Sequence, residues 1–178
     1  MKSRGSFLTP EDRKEPRDRE AAGDGREWQV RGAELGDVAA VAVAVEALLT
    51  ELGGRRAPRP ALEAEARALV EDPSEGSVLV ADGDGGIVGV LAASWIRAIH
   101  VPGRYVVVED LWVDPEWRSA GVGAGLMDAL VADAREQGAL RLEVGLPRED
   151  FAAIAKTEAF YSANGFEHLG PRMRRLLE

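Results

Sequence analysis

Cysteine is absent from the 178 residues, and histidine occurs only at His100 and His168. Without a thiol, disulfides, thiolate catalysis and cysteine-based metal sites are excluded. Two histidines also argue against a histidine-rich metal centre, so no metal is expected. No apolar run approaches the roughly 20 residues of a membrane span, and the N-terminus lacks the hydrophobic core of a signal peptide. We therefore expect a soluble cytoplasmic protein with no membrane partner.

Basic residues are fewer than acidic ones. The chain has 22 Lys and Arg against 31 Asp and Glu, a formal net charge of −9. A surface of this sign repels the phosphate backbone, so nucleic acid is not an expected partner. The charge is compatible with a cationic substrate, although a net charge of this size also serves solubility.

Large apolar residues are almost missing from residues 1–27, where Phe7 and Leu8 are the exceptions. Such a segment cannot bury enough apolar surface to offset the entropy lost on ordering. We predict a disordered tail over residues 1–27, with a docking arm for a partner subunit as the alternative. The remaining residues, 28–178, are long enough for one folded domain with a sizeable core.

The most informative stretch runs from Val106 to Gln137. It begins with a nearly continuous run of strand-forming residues, Val106–Val113, interrupted by the adjacent carboxylates of Glu109 and Asp110. A loop rich in glycine follows, and apolar residues then recur at helical spacing. These are Arg118, Gly121, Gly123 and Gly125 in the loop, then Leu126, Leu130 and Ala134 in the helix. The predicted order is strand, glycine-rich loop, helix.

The glycine-rich loop predicts an anion site. Glycines let backbone N–H groups approach a ligand, and a helix N-terminus adds the positive end of a dipole. Arg118 supplies a full positive charge. A P-loop is excluded because the segment contains no lysine, and a dinucleotide fingerprint fits poorly because residues 114–119 separate the strand from the glycines. The structural alternative is a turn in which the glycines only permit tight packing.

The rest of the chain predicts an α/β (or α+β) domain with one mixed, mostly antiparallel sheet of six or seven strands and about four helices. The fifth strand should lie parallel to the fourth, because a helix connects them. Strands are predicted at Trp28–Arg31, Ser77–Ala81, Ile87–Trp95, Val106–Val113 and Leu140–Val144, with one or two more in Phe166–Leu169 and Met173–Leu177. Helices are predicted at Val38–Leu52 with Asp37 as N-cap, at Ala61–Glu71, after the glycine loop, and over most of Arg148–Asn164; a turn is predicted at Ala98–Arg104.

Three motifs, in this order, resemble the GNAT superfamily of N-acetyltransferases. The Arg118-Ser-Ala-Gly121-Val-Gly123 segment resembles the family's R/Q-x-x-G-x-G/A pyrophosphate loop, and the strand before it resembles the family's fourth strand. The Phe160-Tyr161-Ser-Ala-Asn-Gly165-Phe166 segment resembles its F/L-Y-x-x-x-G-F motif. The resemblance covers roughly residues 28–177. It implies an architecture in which the fourth and fifth strands splay apart and hold the pantetheine arm of acetyl-CoA.

The resemblance also implies which residues hold acetyl-CoA, the expected co-substrate. The backbone of the fourth strand would bind pantetheine, with the Val113 N–H as the favoured donor to the thioester carbonyl, and the loop would bind pyrophosphate. The implied set is Leu111, Trp112, Val113, Arg118, Ser119, Ala120, Gly121, Val122, Gly123 and Ala124. Thr157 and Ile154 stand where the family often has alanine and asparagine, so Thr157 is expected to replace part of the missing asparagine contact.

Glu109, Asp110 and Tyr161 are the candidate catalytic residues. Strand alternation sends Glu109 and Asp110 to opposite faces, so only one should face the cleft; resemblance to the polyamine acetyltransferases favours Glu109 as the base. Tyr161 is protonated at neutral pH and can act as the acid. The alternatives are a structural carboxylate, a core tyrosine and, as another base, His168.

The predicted activity is direct transfer of an acetyl group from acetyl-CoA to a primary amine in a ternary complex, since no cysteine can carry an acyl group. A small amine or polyamine is the first choice of acceptor, and a protein N-terminus or lysine is the alternative. A non-catalytic acyl-CoA-binding regulatory protein is the rival reading, and a nucleotide-binding module is disfavoured.

An insertion at residues 145–150 is expected to shape the acceptor site, and Arg55, Arg56 and Arg59 either meet an anionic substrate feature or form a solvated loop. Homodimers are frequent in the family, which makes a homodimer a further expectation.

Overall fold

The computed structural model describes residues 26–53, 57–170, 172–173 and 175. Within them, five strands form a single sheet in the order β1-β2-β3-β4-β5. The strands are β1 (Trp28–Gly32), β2 (Gly76–Gly83), β3 (Gly86–Ala98), β4 (Val101–Val113) and β5 (Ala139–Val144). The helices are α1 (Val38–Leu52), α2 (Arg59–Glu71), α3 (Val122–Glu136) and α4 (Ile154–Ala163), with short 3₁₀ turns at Leu35–Asp37 and Pro115–Trp117.

The sheet is mixed. Strands β1 to β4 pair antiparallel with their neighbours in sequence, and β5 pairs parallel with β4. Helix α3 makes the crossover between β4 and β5, which is the connection a parallel pair requires. The predicted mixed α+β architecture and the parallel fifth strand are therefore confirmed.

The predicted number of strands is wrong: the described residues form five strands rather than six or seven. The segment Phe166–Leu169 has no regular structure. Phe166 packs against the core, but Leu169 and Met173 are 76% and 101% exposed, so the segment lacks the alternating buried positions that would fix a strand. The remainder of the second predicted strand, residues 174 and 176–177, and residues 1–25 of the predicted tail lie outside the described residues, as do Arg55 and Arg56.

Helix α1 has the predicted bounds, because Gly53 adopts a left-handed conformation and ends it. Asp37 occupies the N-cap position of α1, as predicted, but its side chain does not cap the helix. Its carboxylate makes no capping bond to α1; it accepts from the Glu34 N–H at 2.7 Å and pairs with Arg31. Asp37 thus ties the first strand to the turn before the helix.

Three other predicted boundaries shift. The turn between β3 and β4 is Ile99-His100 alone, and Pro102-Gly103 lies within β4 at a break in the register. A proline can lie in a strand at such an irregularity because no ladder hydrogen bond is required of it there. Helix α2 begins at Arg59, which pairs with Glu46, and α4 begins at Ile154 rather than Arg148.

Two hydrophobic clusters cover the two faces of the sheet. On the α3 face, Leu126, Leu130 and Met127 pack against Val106 and other strand residues. On the α1 face, helices α1 and α2 cover the opposite sides of β2 and β3. No helix in the described part of the chain has the length and apolar character needed to cross a membrane.

Candidate active site

A β-bulge in β4 lies at Glu109. In the pairing with β3, Ala92 opposes Asp110 while Ala93 opposes Val108, so Glu109 is the extra residue. The bulge shifts the alternation of the strand by one position: Val108 and Leu111 pack on the α3 face, whereas Trp112 packs on the α1 face. Bulges re-aim side chains in this way.

The other edge of β4 opens directly after the bulge. Pairing with β5 ends at Val108 and Val144, so residues 109–113 have no strand partner on this edge within the described residues. The Asp114 N–H donates to the Val88 carbonyl, which fixes the alternation of the antiparallel pair. It follows that Leu111 and Val113 direct their backbone groups to the open edge, while those of Trp112 point to β3. β4 therefore continues past the end of β5, which leaves a gap at the edge of the sheet where the fourth and fifth strands are predicted to splay apart.

A cleft of about 300 Å³ lies at this gap. It is bounded by the end of α1, the second half of β4, the glycine loop, the residues after β5 and one face of α4. Its lining comprises Leu48, Glu51, Leu52, Glu109, Leu111, Trp112, Val113, Arg118, Gly123, Val144, Gly145, Pro147, Phe151, Ala153, Lys156, Thr157, Phe160 and Tyr161. Most of these side chains are apolar or aromatic, as is typical of a ligand site.

The glycine loop leads into α3 with unpaired donors. Gly121 has a φ of +84°, which glycine adopts at low cost, and directs the chain into the helix. The N–H groups of Gly121, Val122, Gly123 and Ala124 have no hydrogen-bond acceptor among the described residues, since the first bond of the helix joins the Gly125 N–H to Gly121. These donors, together with the helix dipole, favour an anion. Arg118 stands beside them in the cleft.

Two of the glycines also have a packing role. A Cβ on Gly123 would lie 3.2 Å from the Phe160 ring, and one on Gly125 would lie 2.4 Å from the Trp28 ring. The Trp28 indole N–H donates to the Ala120 carbonyl at 3.2 Å, so a residue of β1 stabilises the conformation of the loop. The alternative of a tightly packed turn therefore describes part of this segment correctly, especially at Gly125.

The structure brings only some of the predicted cofactor residues to the cleft. Leu111, Trp112, Val113, Arg118, Gly123 and Thr157 line it, and the Thr157 hydroxyl donates to the Ala153 carbonyl at 3.2 Å. Ser119, Ala120, Gly121, Val122 and Ala124 do not line it. The Val122 side chain is in the core, so its backbone N–H is the group available to a ligand. The indole N–H of Trp112 is buried and has no acceptor among the described residues.

The two candidate bases lie in different environments. Glu109 is exposed and lines the cleft, whereas Asp110 is half-buried and does not line it. Burial raises the pKa of the Asp110 carboxyl, and the neighbouring charge of Glu109 raises it further. In the described part of the chain, no group donates a hydrogen bond to the Asp110 side chain. The bulge at Glu109 accounts for the different environments of the two carboxylates.

Tyr161 is buried at the inner end of the cleft, on the same helix face as Ala153, Thr157 and Phe160. Its ring makes edge contacts with Phe160 and Phe166 at centroid distances of 5.2 Å and 5.4 Å. Burial and then the charge of Asp110 raise the pKa of Tyr161 to about 12. The phenol is therefore protonated throughout the neutral range. His168, in contrast, is largely exposed and lies outside the cleft.

Sequence reasoning missed several lining residues, above all Glu51 and Lys156. Nothing in the local sequence of α1 indicates that Glu51 reaches Arg118, which is 67 residues away. Lys156 was recoverable in principle, because it lies one helical turn before Phe160 on the same face of α4. No group of three or more metal-ligating side chains is found among the described residues.

Comparison with known proteins agrees with this arrangement. Residues 42–166 match the model of the acetyltransferase (GNAT) family. An uncharacterized N-acetyltransferase of Mycobacterium tuberculosis (strain H37Rv) is 31% identical over 100 residues, which span 56% of this chain and 58% of the relative. The chain thus spans little more than half the length of the curated relatives it matches.

Two solved structures share the fold. A possible acetyltransferase from Clostridium difficile 630 superposes with a TM-score of 0.72 at 16% identity, covering 85% of this chain and 97% of that one. An aminoglycoside N-acetyltransferase in complex with CoA, AAC(6')-Iy, also gives a TM-score of 0.72, at 18% identity over 86% of this chain and 97% of that one. With the family model matched over most of the described domain, the chain belongs to the GNAT acetyltransferase family.

Proposed function

We propose that this acetyltransferase transfers the acetyl group of acetyl-CoA directly to a primary amine, with a small amine or polyamine as acceptor. The observation that carries the proposal is the cleft itself, which is lined by the open edge of β4, Arg118, Gly123, Glu109 and Tyr161 and lies beside the unpaired N–H groups at the start of α3. The solved aminoglycoside N-acetyltransferase, an enzyme with an amine acceptor by its name, supports the choice of acceptor.

The donors around the cleft fit acetyl-CoA. The pyrophosphate would be held by the free N–H groups of residues 121–124 and by Arg118, because these combine a helix N-terminus with a guanidinium. The pantetheine amides would be held by the backbone groups of Leu111 and Val113 at the open edge of β4. The bound co-substrate supplies an activated thioester, the group that the acceptor amine attacks.

The protein's own contribution is positioning and proton transfer. The apolar walls of the cleft exclude water, and holding two reactants in place can lower a barrier by several kcal/mol. The Val113 N–H would donate to the thioester carbonyl oxygen at the open edge of β4, and this bond would strengthen as negative charge develops on that oxygen. Glu109 removes a proton from the acceptor ammonium, directly or through a water molecule.

Tyr161 is the proposed acid that returns a proton to the departing thiolate. Its phenol keeps its proton at neutral pH because its pKa is about 12. Its hydroxyl makes no hydrogen bond to any described residue, so the O–H is available to a ligand. We assign Asp110 an electrostatic role, because its charge raises the pKa of Tyr161 and its side chain does not line the cleft.

The test is calorimetric titration of CoA and acetyl-CoA into the wild type, Arg118→Glu and Arg97→Glu. We expect micromolar binding by the wild type and a loss of about 100-fold or more in Arg118→Glu, because the substitution reverses a charge beside the pyrophosphate. Arg97 is exposed on β3 outside the cleft and controls for the change in net charge. Thiol release with a panel of amines then separates a transferase from a non-catalytic binder. Absence of CoA binding by the wild type would contradict the proposal.

A further inference from the structure

Two residues that line the cleft, Glu51 and Arg118, form an ion pair. Glu51, in the last turn of α1, accepts from Arg118 Nη2 at 2.6 Å. The same guanidinium donates through Nε to the Val113 carbonyl at 3.1 Å. Both side chains line the cleft and remain partly exposed, at 47% for Arg118 and 35% for Glu51. The arginine that would meet the pyrophosphate is therefore already occupied by a carboxylate of the protein.

This pairing is one that a pyrophosphate can displace. Exposed ion pairs contribute little to stability, typically equivalent to no more than about a fivefold change in an equilibrium constant. A pyrophosphate brings more negative charge than one carboxylate and also reaches the free N–H groups of α3. Cofactor binding would move Arg118 from Glu51 to the phosphate and leave the Glu51 carboxylate without a partner in the cleft.

We propose that the released Glu51 binds a second positive charge on the acceptor, so that the preferred substrates are diamines or polyamines. The inference rests on the proposed function. Glu51 and Glu109 are the two carboxylates that line the cleft, and Lys156, which also lines it, forms no ion pair with either of them. Glu109 is assigned to the reacting ammonium, which leaves Glu51 for a second ammonium farther along the acceptor.

The arrangement couples the two substrates. An amine that arrives before the cofactor meets a Glu51 already neutralised by Arg118, whereas one that arrives after it meets a free carboxylate. Coupling of this kind is reciprocal, so the diamine should strengthen CoA binding by the same factor. Glu51 would thus determine both the acceptor class and the order in which the substrates bind productively.

The first test concerns the cofactor alone. CoA is titrated calorimetrically at low salt into the wild type, Glu51→Gln and Glu46→Gln. Glu46 is the matched control, because it lies on the same helix, pairs with Arg59 and does not line the cleft. We expect Glu51→Gln to bind CoA about two- to fivefold more tightly than the wild type, with Glu46→Gln unchanged. The difference should shrink at high salt, where exposed charges are screened.

The second test concerns the acceptor. 1,4-Diaminobutane and n-butylamine, which differ by one terminal ammonium, are titrated into the free and the CoA-saturated proteins. The CoA-saturated wild type should prefer the diamine by about tenfold, and Glu51→Gln should lose that preference while n-butylamine binds equally to both. In the absence of CoA, the wild type should bind the diamine more weakly. Thermal unfolding checks that each variant is folded.

The outcomes separate the inference from the proposed function. If the wild type binds CoA and acetylates amines but Glu51→Gln matches it in both titrations, the role of Glu51 is wrong and the proposed function stands. If Glu51→Gln binds CoA more weakly, Glu51 supports the loop rather than competing for Arg118, which also overturns the inference. If the wild type binds no CoA, both are overturned.

Discussion

The two halves of β4 differ in their neighbours. Residues 104–108 pair with β3 on one side and with β5 on the other, and Val106, Val107 and Val108 are buried. Beyond the bulge at Glu109, residues 110–113 pair with β3 alone among the described residues, since β5 ends beside Val108. The sequence of the second half is no less apolar, with Leu111, Trp112 and Val113, yet these residues line a cleft.

The comparison shows that the end of a neighbouring strand, rather than a change in composition, creates the site. Where β5 continues, the backbone groups of β4 are satisfied within the sheet. Where β5 ends, they become donors and acceptors for a ligand, which can then bind like an additional strand. The bulge at Glu109 coincides with this boundary and brings a carboxylate to the cleft at the point where the sheet opens.

The largest expected difference between the two halves of β4 is in how a substitution affects catalysis. Glu109→Gln should lower kcat by about 100-fold or more, because loss of a general base typically costs that much. It should leave the melting temperature unchanged, since Glu109 is exposed. Steady-state thiol release and thermal unfolding measure the two effects. Glu143→Gln, on β5 and outside the cleft, is the control; a Glu109→Gln enzyme with more than half of wild-type kcat would exclude Glu109 as the base.

An intermediate effect, on stability, compares Val106→Thr with Val113→Thr. Val106 is fully buried on the α3 face, so its new hydroxyl would lack a partner and should cost about 1–3 kcal/mol of unfolding free energy. Val113 is only partly buried beside the cleft, and its substitution should cost less than about 0.5 kcal/mol. Urea unfolding at pH 7 measures both. Equal costs would contradict the distinction between the halves.

The smallest effect should come from Asp110→Asn, at the boundary. The raised pKa of Asp110 means that the folded state holds this proton more tightly than the unfolded state. The favourable contribution of the protonated carboxyl to stability is complete below its ordinary pKa near 4. It is lost as the pH rises through the pKa of the folded state. At neutral pH the ionised group destabilises the fold, so Asp110→Asn should raise the melting temperature, by roughly 2–4 °C for each 1 kcal/mol of unfolding free energy gained.

The same prediction has a pH signature. The stabilisation by Asp110→Asn should disappear as the pH is lowered toward about 4, because the wild-type carboxyl then becomes neutral as well. Thermal unfolding of the two proteins between pH 4 and pH 8 provides the measurement. A difference that is independent of pH would mean that the amide acts through its shape or hydrogen bonds rather than through charge.

Local signals predicted most of the elements. The bounds of α1 follow from Gly53, and the hairpin of β2 and β3 follows from the glycines and aspartates at its turn. The sequence predicts too late a start for β4, because Pro102-Gly103 has the local pattern of a turn. That segment can lie within β4 because the register with β3 breaks there. The break is a property of the paired strands, so the local sequence does not reveal it.

The site was predictable only where a motif carried it. The open edge of β4, the glycine loop and Tyr161 follow from their motifs, and alternation foretold that Glu109 and Asp110 would differ. The phase of that alternation depends on the bulge, which is a property of the paired strands. Glu51 escaped prediction because its partner lies 67 residues away.

The contact between Trp28 and the glycine loop bears on where this protein can be cut. The family match begins at residue 42, inside α1, and so omits β1. A chain shortened to 42–166 would keep every residue proposed for binding and chemistry. It would nevertheless lose the indole that holds the Ala120 carbonyl and packs against Gly125. The stretch of chain that matches the family model is therefore shorter than the stretch that the loop needs for its packing. Shortened or fused versions of this enzyme should begin before Trp28.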